Sequence, residues 1–187
     1  MQKKVQIISD GSLDLPQELT KEKDIEVVPF YVSFDSQTYK KEMVEQDVRE
    51  FYQEMVDHPT VFPKTSMPSV NDFYELFKKH AEENLPVICI CITRKFSGSL
   101  QSATTAKDMV LEDIPDAQIT VIDSTVNTVL QGLYVLEACR LRDMGLEYQQ
   151  IVDALLPIRE TGRIFFTIGS IDYLKHGGRI GKLAGIA

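Results

Sequence analysis

The chain has 187 residues, of which 43% are hydrophobic and 26% charged, and its formal net charge is −8 at pH 7. This composition provides enough apolar side chains for a core and excludes an intrinsically disordered chain. The negative charge argues against a nucleic-acid partner, because phosphate backbones bind basic surfaces. No apolar run reaches about 18 residues, so no transmembrane segment is expected. The apolar run near the N-terminus is too short for a signal peptide. A cytoplasmic location is therefore expected.

The three cysteines are Cys89, Cys91 and Cys139. An odd number without an export signal predicts free thiols. Cys89 and Cys91 would share one face of a strand and could both face a metal ion, but no nearby Cys or His pair completes a four-ligand site. The sequence therefore predicts buried thiols and no metal.

Taken in chain order, apolar runs and helical periodicities alternate. The predicted strands cover residues 5–9, 25–31, 87–93, 119–123 and 164–168. Helices are predicted after the first strand to about Glu22, around residues 48–55, at 69–84, after Ser97, at 129–141, at 148–159 and at 170–175. Residues 32–41 are extended and polar, which indicates a hairpin or loop. The alternation predicts an α/β fold with a mainly parallel sheet flanked by helices.

The last predicted strand comes after an apparent boundary at Gly162 and has no successor to pair with. We therefore expect an N-terminal α/β domain over residues 1–162 and the incomplete beginning of a second α/β domain over residues 163–187.

A motif of small and hydroxyl residues, Lys64-Thr65-Ser66-Met67-Pro68-Ser69, stands at the start of a predicted helix. Ser69 and Asp72 have the spacing of a capping box. Thr65 and Ser66 are therefore expected on a loop beside a helix N-terminus, where backbone N–H groups and the helix dipole favour an anion. The motif predicts a site for the head group of an acidic ligand.

Further hydroxyl-rich turns come after other strands and contain Ser9, Ser97-Gly98-Ser99 and Ser124. Ligands of open α/β sheets bind at the carboxyl ends of strands, where such turns gather. The plainer interpretation is structural, because Ser, Thr, Asp and Gly are good turn and cap residues. Any one of these turns is more often structural than functional, and only their convergence favours a site.

Common nucleotide-binding and hydrolase motifs are absent from the sequence. His80 falls on the apolar stripe of its helix and is expected to be a packing residue. His58 precedes a proline in a loop, whereas His176 lies beside Gly177-Gly178 and is the histidine nearest to a candidate site. Without a clear base a serine hydroxyl is a weak nucleophile, which favours binding over catalysis.

Four stretches of the chain together resemble the DegV family of bacterial fatty-acid-binding proteins. They are Ile8-Ser9-Asp10-Gly11-Ser12-Leu13-Asp14-Leu15-Pro16, the Lys64–Ser69 motif (K-T-S-x-P-S in the family), Ser97-Gly98-Ser99-Leu100-Gln101-Ser102-Ala103 (S-G-T-x-Q-S-A) and Tyr173-Leu174-Lys175-His176-Gly177-Gly178-Arg179-Ile180 (Y-L-K-x-G-G-R-I). Their order and spacing make the resemblance specific, and it spans nearly the whole chain.

The resemblance implies two α/β domains, a long acyl chain bound between them, and a carboxylate held by Thr65 and Ser97. Ser9, Ser66, Gly98, Ser99 and Ser124 are expected to support that site, with His176 and Arg179 near the head group or at a partner's docking surface. Family members present the fatty acid to a separate ATP-dependent fatty acid kinase that makes acyl phosphate. The resemblance thus implies a carrier, not an enzyme, with a fatty acid as ligand and no cofactor.

The family's second domain is much longer than the segment after Gly162 in this chain, so we expect a truncated C-terminal domain and a tunnel that lacks one wall. Two alternatives stay open. One is a truncated, ligand-free domain, and the other is an enzyme acting on a small anionic substrate with His176 as acid or base.

Overall fold

The computed structural model describes residues 4–167 and 172–177, with the backbone alone for Leu174 and Lys175. The described elements comprise seven strands and seven α-helices. The strands are β1 Gln6–Asp10, β2 Ile25–Val28, β3 Tyr31–Ser33, β4 Lys40–Lys41, β5 Lys64–Ser66, β6 Val87–Cys91 and β7 Ile119–Asp123. The helices are α1 Gln17–Glu22, α2 Val48–Asp57, α3 Val70–Glu82, α4 Ser99–Asp113, α5 Thr128–Asp143, α6 Tyr148–Ile158 and α7 Asp172–His176. No described helix combines the length and the apolar character that a membrane crossing requires.

The chain divides into two compact units, one formed by residues 1–28 and 68–164 and the other by residues 29–67 and 165–187. The predicted domain boundary between residues 162 and 163 stays a prediction. The division adds that residues 29–67 group with the C-terminal segment of the chain.

The first unit contains a four-stranded sheet in the order β2-β1-β6-β7, and all three strand pairs are parallel. The central strands β1 and β6 are buried at every position, as expected for a parallel sheet covered on both faces. One apolar cluster joins one face to α5 and α6 through residues such as Ile7, Val135 and Ile151. The other face packs on α3 and α4 through Phe73, Phe77, Ala103 and Ala106. The predicted mainly parallel α/β sheet is thus confirmed.

The second unit contains a three-stranded antiparallel sheet in the order β4-β3-β5. Strands β3 and β4 form a hairpin, one of the two possibilities predicted for residues 32–41. Residues 25–31, however, do not form one strand: β2 ends at Val28 in the parallel sheet, and β3 begins at Tyr31 in the antiparallel sheet. Pro29 lies between them, and proline has no N–H group with which to continue a ladder.

Two further predictions about local structure are wrong. Lys64–Ser66 is the strand β5, with Thr65 opposite Val32, instead of a loop. Residues 164–167, the described part of the predicted last strand, form no strand. The helix predicted over residues 170–175 is present as α7 at Asp172–His176.

The predicted start of α3 and the predicted buried thiols are confirmed. Ser69 and Asp72 form the predicted capping box at the start of α3. Gly145, with φ of +87°, lies just after the end of α5 in the left-handed region that glycine adopts without strain. All three cysteines are buried free thiols, and the sulfur atoms of Cys89 and Cys91 lie 3.7 Å apart.

Candidate functional site

Asp10, the last residue of β1, organises the carboxyl edge of the parallel sheet. Its Oδ2 atom accepts hydrogen bonds from the Ser99 hydroxyl at 2.6 Å and the Ile92 amide at 2.9 Å. Its Oδ1 atom accepts from the Gln131 side chain at 2.8 Å and the Ser12 amide at 3.3 Å. One fully buried carboxylate therefore connects β1 to the end of β6 and to the first turns of α4 and α5.

Burial raises the pKa of Asp10, and the hydrogen bonds from Ser99, Gln131, Ile92 and Ser12 act in the opposite direction. Water is excluded from the group, so these donors replace the hydration that an ionised carboxylate loses. The arrangement is a structural anchor whose donors are all supplied by the protein.

Ser9 and Ser99, predicted to support a ligand, are both fully buried and belong to this network. The Ser9 hydroxyl donates to the Ile90 carbonyl at 2.8 Å and accepts from Gln131 at 3.1 Å. The Ser99 hydroxyl donates to Asp10. Each hydroxyl therefore donates its proton to a protein acceptor. The predicted supporting role of these serines in a ligand site stays a prediction, and they would fill it by positioning neighbouring residues instead of binding the ligand.

The Ser97-Gly98 turn opens α4 and differs from this buried network. Ser97 is half-buried, and its Oγ atom accepts the Ser99 amide at 3.1 Å. Gly98 is the N-cap residue and has no side chain to occupy the first-turn amides of α4. An Oγ that accepts through a lone pair still carries its own proton, so the turn can donate both a hydroxyl and helix N-terminal amides to an anion.

Thr65 and Ser66 belong to the second unit, on strand β5, and both are exposed. The Ser66 hydroxyl makes a long hydrogen bond of 3.5 Å to the Met67 carbonyl. Among the residues that the structure describes, none makes a side-chain hydrogen bond with Thr65. The strand fixes the Thr65 backbone through β3 and leaves its hydroxyl available to a ligand.

His176, at the end of α7, is held in the second unit by Phe62, an aromatic residue that was not predicted from the sequence. Its ring stacks on Phe62 with the centroids 3.8 Å apart and the planes 4° from parallel. The Lys64 ammonium donates to the His176 carbonyl at 2.9 Å, and Tyr173 meets Phe62 edge-on at 5.0 Å. The structure therefore brings Tyr173 and His176, of the Y-L-K-x-G-G-R-I segment, to Phe62 and Lys64 beside the Thr65 motif, whereas Arg179 lies outside the described residues.

Ser124 lies at the end of β7 and is fully buried. Its hydroxyl donates to the Val126 carbonyl at 2.9 Å, which shapes the turn into α5. It also borders a mostly apolar cavity of about 180 Å³. The other residues lining this cavity are Val126, Leu130, Leu133, Tyr134, Glu137, Ile158, Arg159, Thr161 and Gly162.

A larger surface cavity, of about 750 Å³, lies at the opposite end of the parallel sheet, where the strands begin. Several of its charged side chains are paired: Lys79 lies 3.1 Å from Glu26, His80 lies 2.7 Å from the same carboxylate, and Lys4 pairs with Glu147. Ligands of parallel sheets bind at the carboxyl ends of strands, so we assign these pairs to stability. His80, only 3% exposed, is the packing residue that the sequence predicts.

The pairing of Asp10 with Gln131 was also not predicted from the sequence, although one signal was present. Gln131 is a fully buried amide inside the long helix α5, and a buried amide requires a partner. No described group of three or more His, Cys, Asp or Glu side chains is placed to hold a metal ion.

Comparison with known proteins identifies the family to which the chain belongs. A family model described as "Uncharacterised protein, DegV family" matches residues 4–187. The chain belongs to the DegV family. A DegV domain-containing protein of Clostridium acetobutylicum is 34% identical over 97% of this chain and 62% of its own length, and one of Caldanaerobacter subterraneus is 34% identical over 98% and 63%.

Solved structures of DegV proteins share the fold. A stearic acid-binding protein from Eubacterium ventriosum is 47% identical, with a TM-score of 0.91 over 96% of this chain and 61% of that chain. A DegV family protein from Thermus thermophilus, described by its fatty acid binding, is 30% identical, with a TM-score of 0.79 over 97% of this chain and 62% of that chain. The chain thus spans about three-fifths of the length of these DegV relatives.

Proposed function

We propose that this chain binds a long-chain fatty acid and that Thr65 and Ser97 hold the carboxylate. The observation that carries the proposal is the similarity to the Eubacterium ventriosum stearic acid-binding protein, at 47% identity and a TM-score of 0.91. At that level of identity the fold is shared, so a common class of ligand is the simplest expectation.

The local chemistry at the two residues supports this assignment. Thr65 is exposed without a side-chain partner among the described residues, and the Ser97 hydroxyl retains its proton while accepting from the Ser99 amide. A carboxylate only accepts hydrogen bonds, so two hydroxyl donors and a helix N-terminus suit it. Burial of the acyl chain would supply most of the affinity, at about 0.8 kcal/mol per CH₂ group, and the polar contacts would orient the head group.

We further propose that the protein presents its fatty acid to a separate fatty acid kinase, which forms the acyl phosphate. The sequence has no phosphate-binding loop of the G-x-x-x-x-G-K-[ST] type, so the proposal assigns ATP binding to another protein. A carrier of this kind needs no nucleophile of its own. His176 and Arg179 are the residues that we assign to the head-group vicinity or to the contact with that kinase.

The carboxylate contacts are tested by mass spectrometry of the purified protein, first native and then after solvent extraction. We expect a C14–C18 fatty acid at near one per chain. Thr65→Ala and Ser97→Ala should each weaken retention by about 10-fold to 100-fold, because a hydrogen bond to a charged group contributes about 1.5–3 kcal/mol.

Two control variants accompany the test. Thr65→Ser keeps the hydroxyl and should retain lipid, and Thr60→Ala removes an exposed threonine of the same unit without effect. Unchanged lipid content in both alanine variants would contradict the carboxylate assignment. A well-folded wild-type chain without lipid would instead favour the truncated, ligand-free alternative.

A further inference from the structure

The loop between β6 and α4 is attached at both of its ends to one atom, Oδ2 of Asp10. Ile92, the first residue after β6, donates its amide to this oxygen at 2.9 Å. Ser99, the first residue of α4, donates its hydroxyl to the same oxygen at 2.6 Å. Residues 93–98 lie between the two attachment points, and Ser97 is one of them. A single buried oxygen thus closes the loop that carries Ser97.

Ser99 also contacts Ser97 directly. The Ser99 amide donates to the Ser97 Oγ atom at 3.1 Å, while the Ser99 hydroxyl donates to Asp10. The Ser97 oxygen therefore has a fixed partner on one side, and its own proton is left for an acceptor in another direction. Two hydrogen bonds in series thus connect the buried carboxylate of Asp10 to the half-buried hydroxyl of Ser97.

The rest of the loop has few constraints of its own. Residues 94–96 are exposed. The Ser97 amide donates to the Thr93 carbonyl at 3.4 Å, which is longer than is usual for such a bond. The Thr93 amide donates to the Val126 carbonyl at 3.0 Å and secures the β6 side of the loop. On the α4 side, the hydrogen bond from Ser99 to Asp10 has the corresponding role.

Burial of a carboxylate opposes folding unless hydrogen-bond donors replace the lost water, and apolar side chains often stabilise a core equally well. Asp10 is nevertheless fully buried, and two of its four donors come from the two ends of one loop. Hydrogen bonds depend on direction as well as distance, so such a network fixes the positions of its members more narrowly than apolar contacts do. The arrangement therefore suits a loop that has to present one group in one position.

We propose that Asp10 and Ser99 are positioning residues for the carboxylate site, because they hold the Ser97 hydroxyl where it donates to the ligand. The inference rests on the proposed function, in which Ser97 binds the fatty acid, and adds two residues that do not touch the ligand themselves. When the bond between Asp10 and Ser99 is lost, the loop keeps its attachment at Ile92, but the Ser97 hydroxyl is free to turn away. The ligand is then held less tightly by a protein that is still folded.

The test measures the binding of palmitic acid, labelled with ¹³C at its carboxyl carbon, to the full chain and its variants. Ser97→Ala should weaken binding by about 10-fold or more, as expected for the loss of a hydrogen bond to a charged group. Ser99→Ala should weaken binding by a similar factor. The double variant should bind within about 2-fold of Ser97→Ala alone, because Ser99 acts through Ser97 and the two effects are not additive. Competition with a fluorescent fatty acid gives the dissociation constants.

The labelled carboxyl group also reports its own pKa. A hydroxyl that donates to the ionised form lowers the pKa of the bound acid. We expect this pKa to be higher in Ser97→Ala than in the wild type, and equally high in Ser99→Ala. The ¹³C chemical shift, followed as a function of pH, gives these values. A role of Ser99 in stability alone would leave the pKa of the ligand unchanged, so this measurement separates positioning from stability.

Three control variants accompany these measurements. Ser99→Thr keeps the hydroxyl and should restore binding. Ser102→Ala removes another buried hydroxyl of α4, which is outside the Asp10 network, and should bind like the wild type. Gln131→Met removes the donor to the other oxygen of Asp10 and should lower the stability to urea without changing palmitate binding.

Circular dichroism establishes that each variant folds. Should Ser99→Ala not fold, Ser99→Cys keeps the size of the side chain with a weaker donor, and its binding should be weaker than that of the wild type. The same comparison with Ser97→Ala then applies to the cysteine variant.

The outcomes separate this proposal from the proposed function. Unchanged palmitate binding in folded Ser99→Ala, together with weakened binding in Ser97→Ala, would overturn the positioning role and leave the carboxylate assignment standing. Additive losses in the double variant would overturn it as well, because Ser99 would then act independently of Ser97. An equal loss of binding in Gln131→Met would assign the effect to general destabilisation. Unchanged binding in Ser97→Ala, or a wild type that binds no palmitate, would contradict the proposed function and this proposal with it.

Discussion

Asp10 shows how much of this protein rests on single buried polar groups. Its carboxylate accepts from four donors, and the partners Gln131 and Ser99 lie 121 and 89 residues away in the chain. Removing one of the carboxylate's hydrogen-bond acceptor positions leaves a buried donor without an acceptor, which costs about 1–3 kcal/mol of stability. The residue next to Asp10, Ser9, is connected to the same network through Gln131.

The first prediction concerns Asp10→Asn. The new amide would carry two N–H donors where the protein already supplies donors, so one of them would face the Ile92 amide or the Gln131 side chain. We expect a loss of about 1–3 kcal/mol in the free energy of unfolding, measured by urea titration. Asp14→Asn is the control, because Asp14 is exposed and has the left-handed backbone (φ 48°) that asparagine tolerates. Equal stability of the two variants would contradict the anchoring role of Asp10.

At the scale of elements, close approach decides where α5 sits in its unit. A Cβ atom on Gly132 would overlap the Leu13 carbonyl oxygen and would come within 2.7 Å of the Leu15 side chain. Gln131, the preceding residue of the helix, reaches Asp10 from the same place. The absent side chain at Gly132 therefore lets α5 approach the turn after β1 closely enough for the Asp10 network to form.

The second prediction rests on that contact. Gly132→Ala should lower the free energy of unfolding by about 1–3 kcal/mol, even though alanine favours helices, because the Leu13 backbone has to shift. Thermal and urea unfolding measure the change. Leu133→Ala, at the next position with a side chain 56% exposed, should have little effect. A stabilised Gly132→Ala variant would show that α5 can move away at no cost.

At the scale of the whole molecule, the net charge is −8, so the dependence of stability on acid pH reports on the carboxylates. The His80 hydrogen bond, with a smaller contribution from Lys79, lowers the pKa of Glu26 to about 2 from its ordinary 4.5. A carboxyl group whose pKa is depressed by folding stabilises the folded state above its unfolded pKa. That stability is lost as the pH falls from about 4.5 towards about 2.

The third prediction is that the wild-type protein loses about 1 kcal/mol of stability between pH 5 and pH 3 through Glu26 alone, after allowance for solvent screening of this half-buried group. Urea titrations at the two pH values, compared with Glu26→Gln, isolate the contribution. The glutamine variant should be less stable at pH 5 and should show a smaller difference between pH 5 and pH 3. The same pH dependence in both proteins would exclude Glu26 as its source.

The sequence by itself determined the features that depend on residues close together in the chain. Alternating apolar runs predict the α/β class, the Ser69–Asp72 spacing predicts the start of α3, and the motifs around Thr65 and Ser97 predict membership of the DegV family. These features depend on backbone propensity, on capping or on a preserved motif, and all of them act within a few residues. The assignment of the carboxylate to Thr65 and Ser97 also came from the motifs and stays a prediction.

The tertiary structure decided what depends on pairing across long separations. Lys64–Ser66 forms a strand because β3, about thirty residues earlier, supplies its hydrogen-bond partners, and the apolar run 25–31 divides because its two halves pair in different sheets. Asp10 and Gln131, 121 residues apart, acquire their roles only when the packed α5 brings them together. Hydrogen-bond partners at such distances leave no periodic pattern in a single sequence, so only the folded chain reveals them.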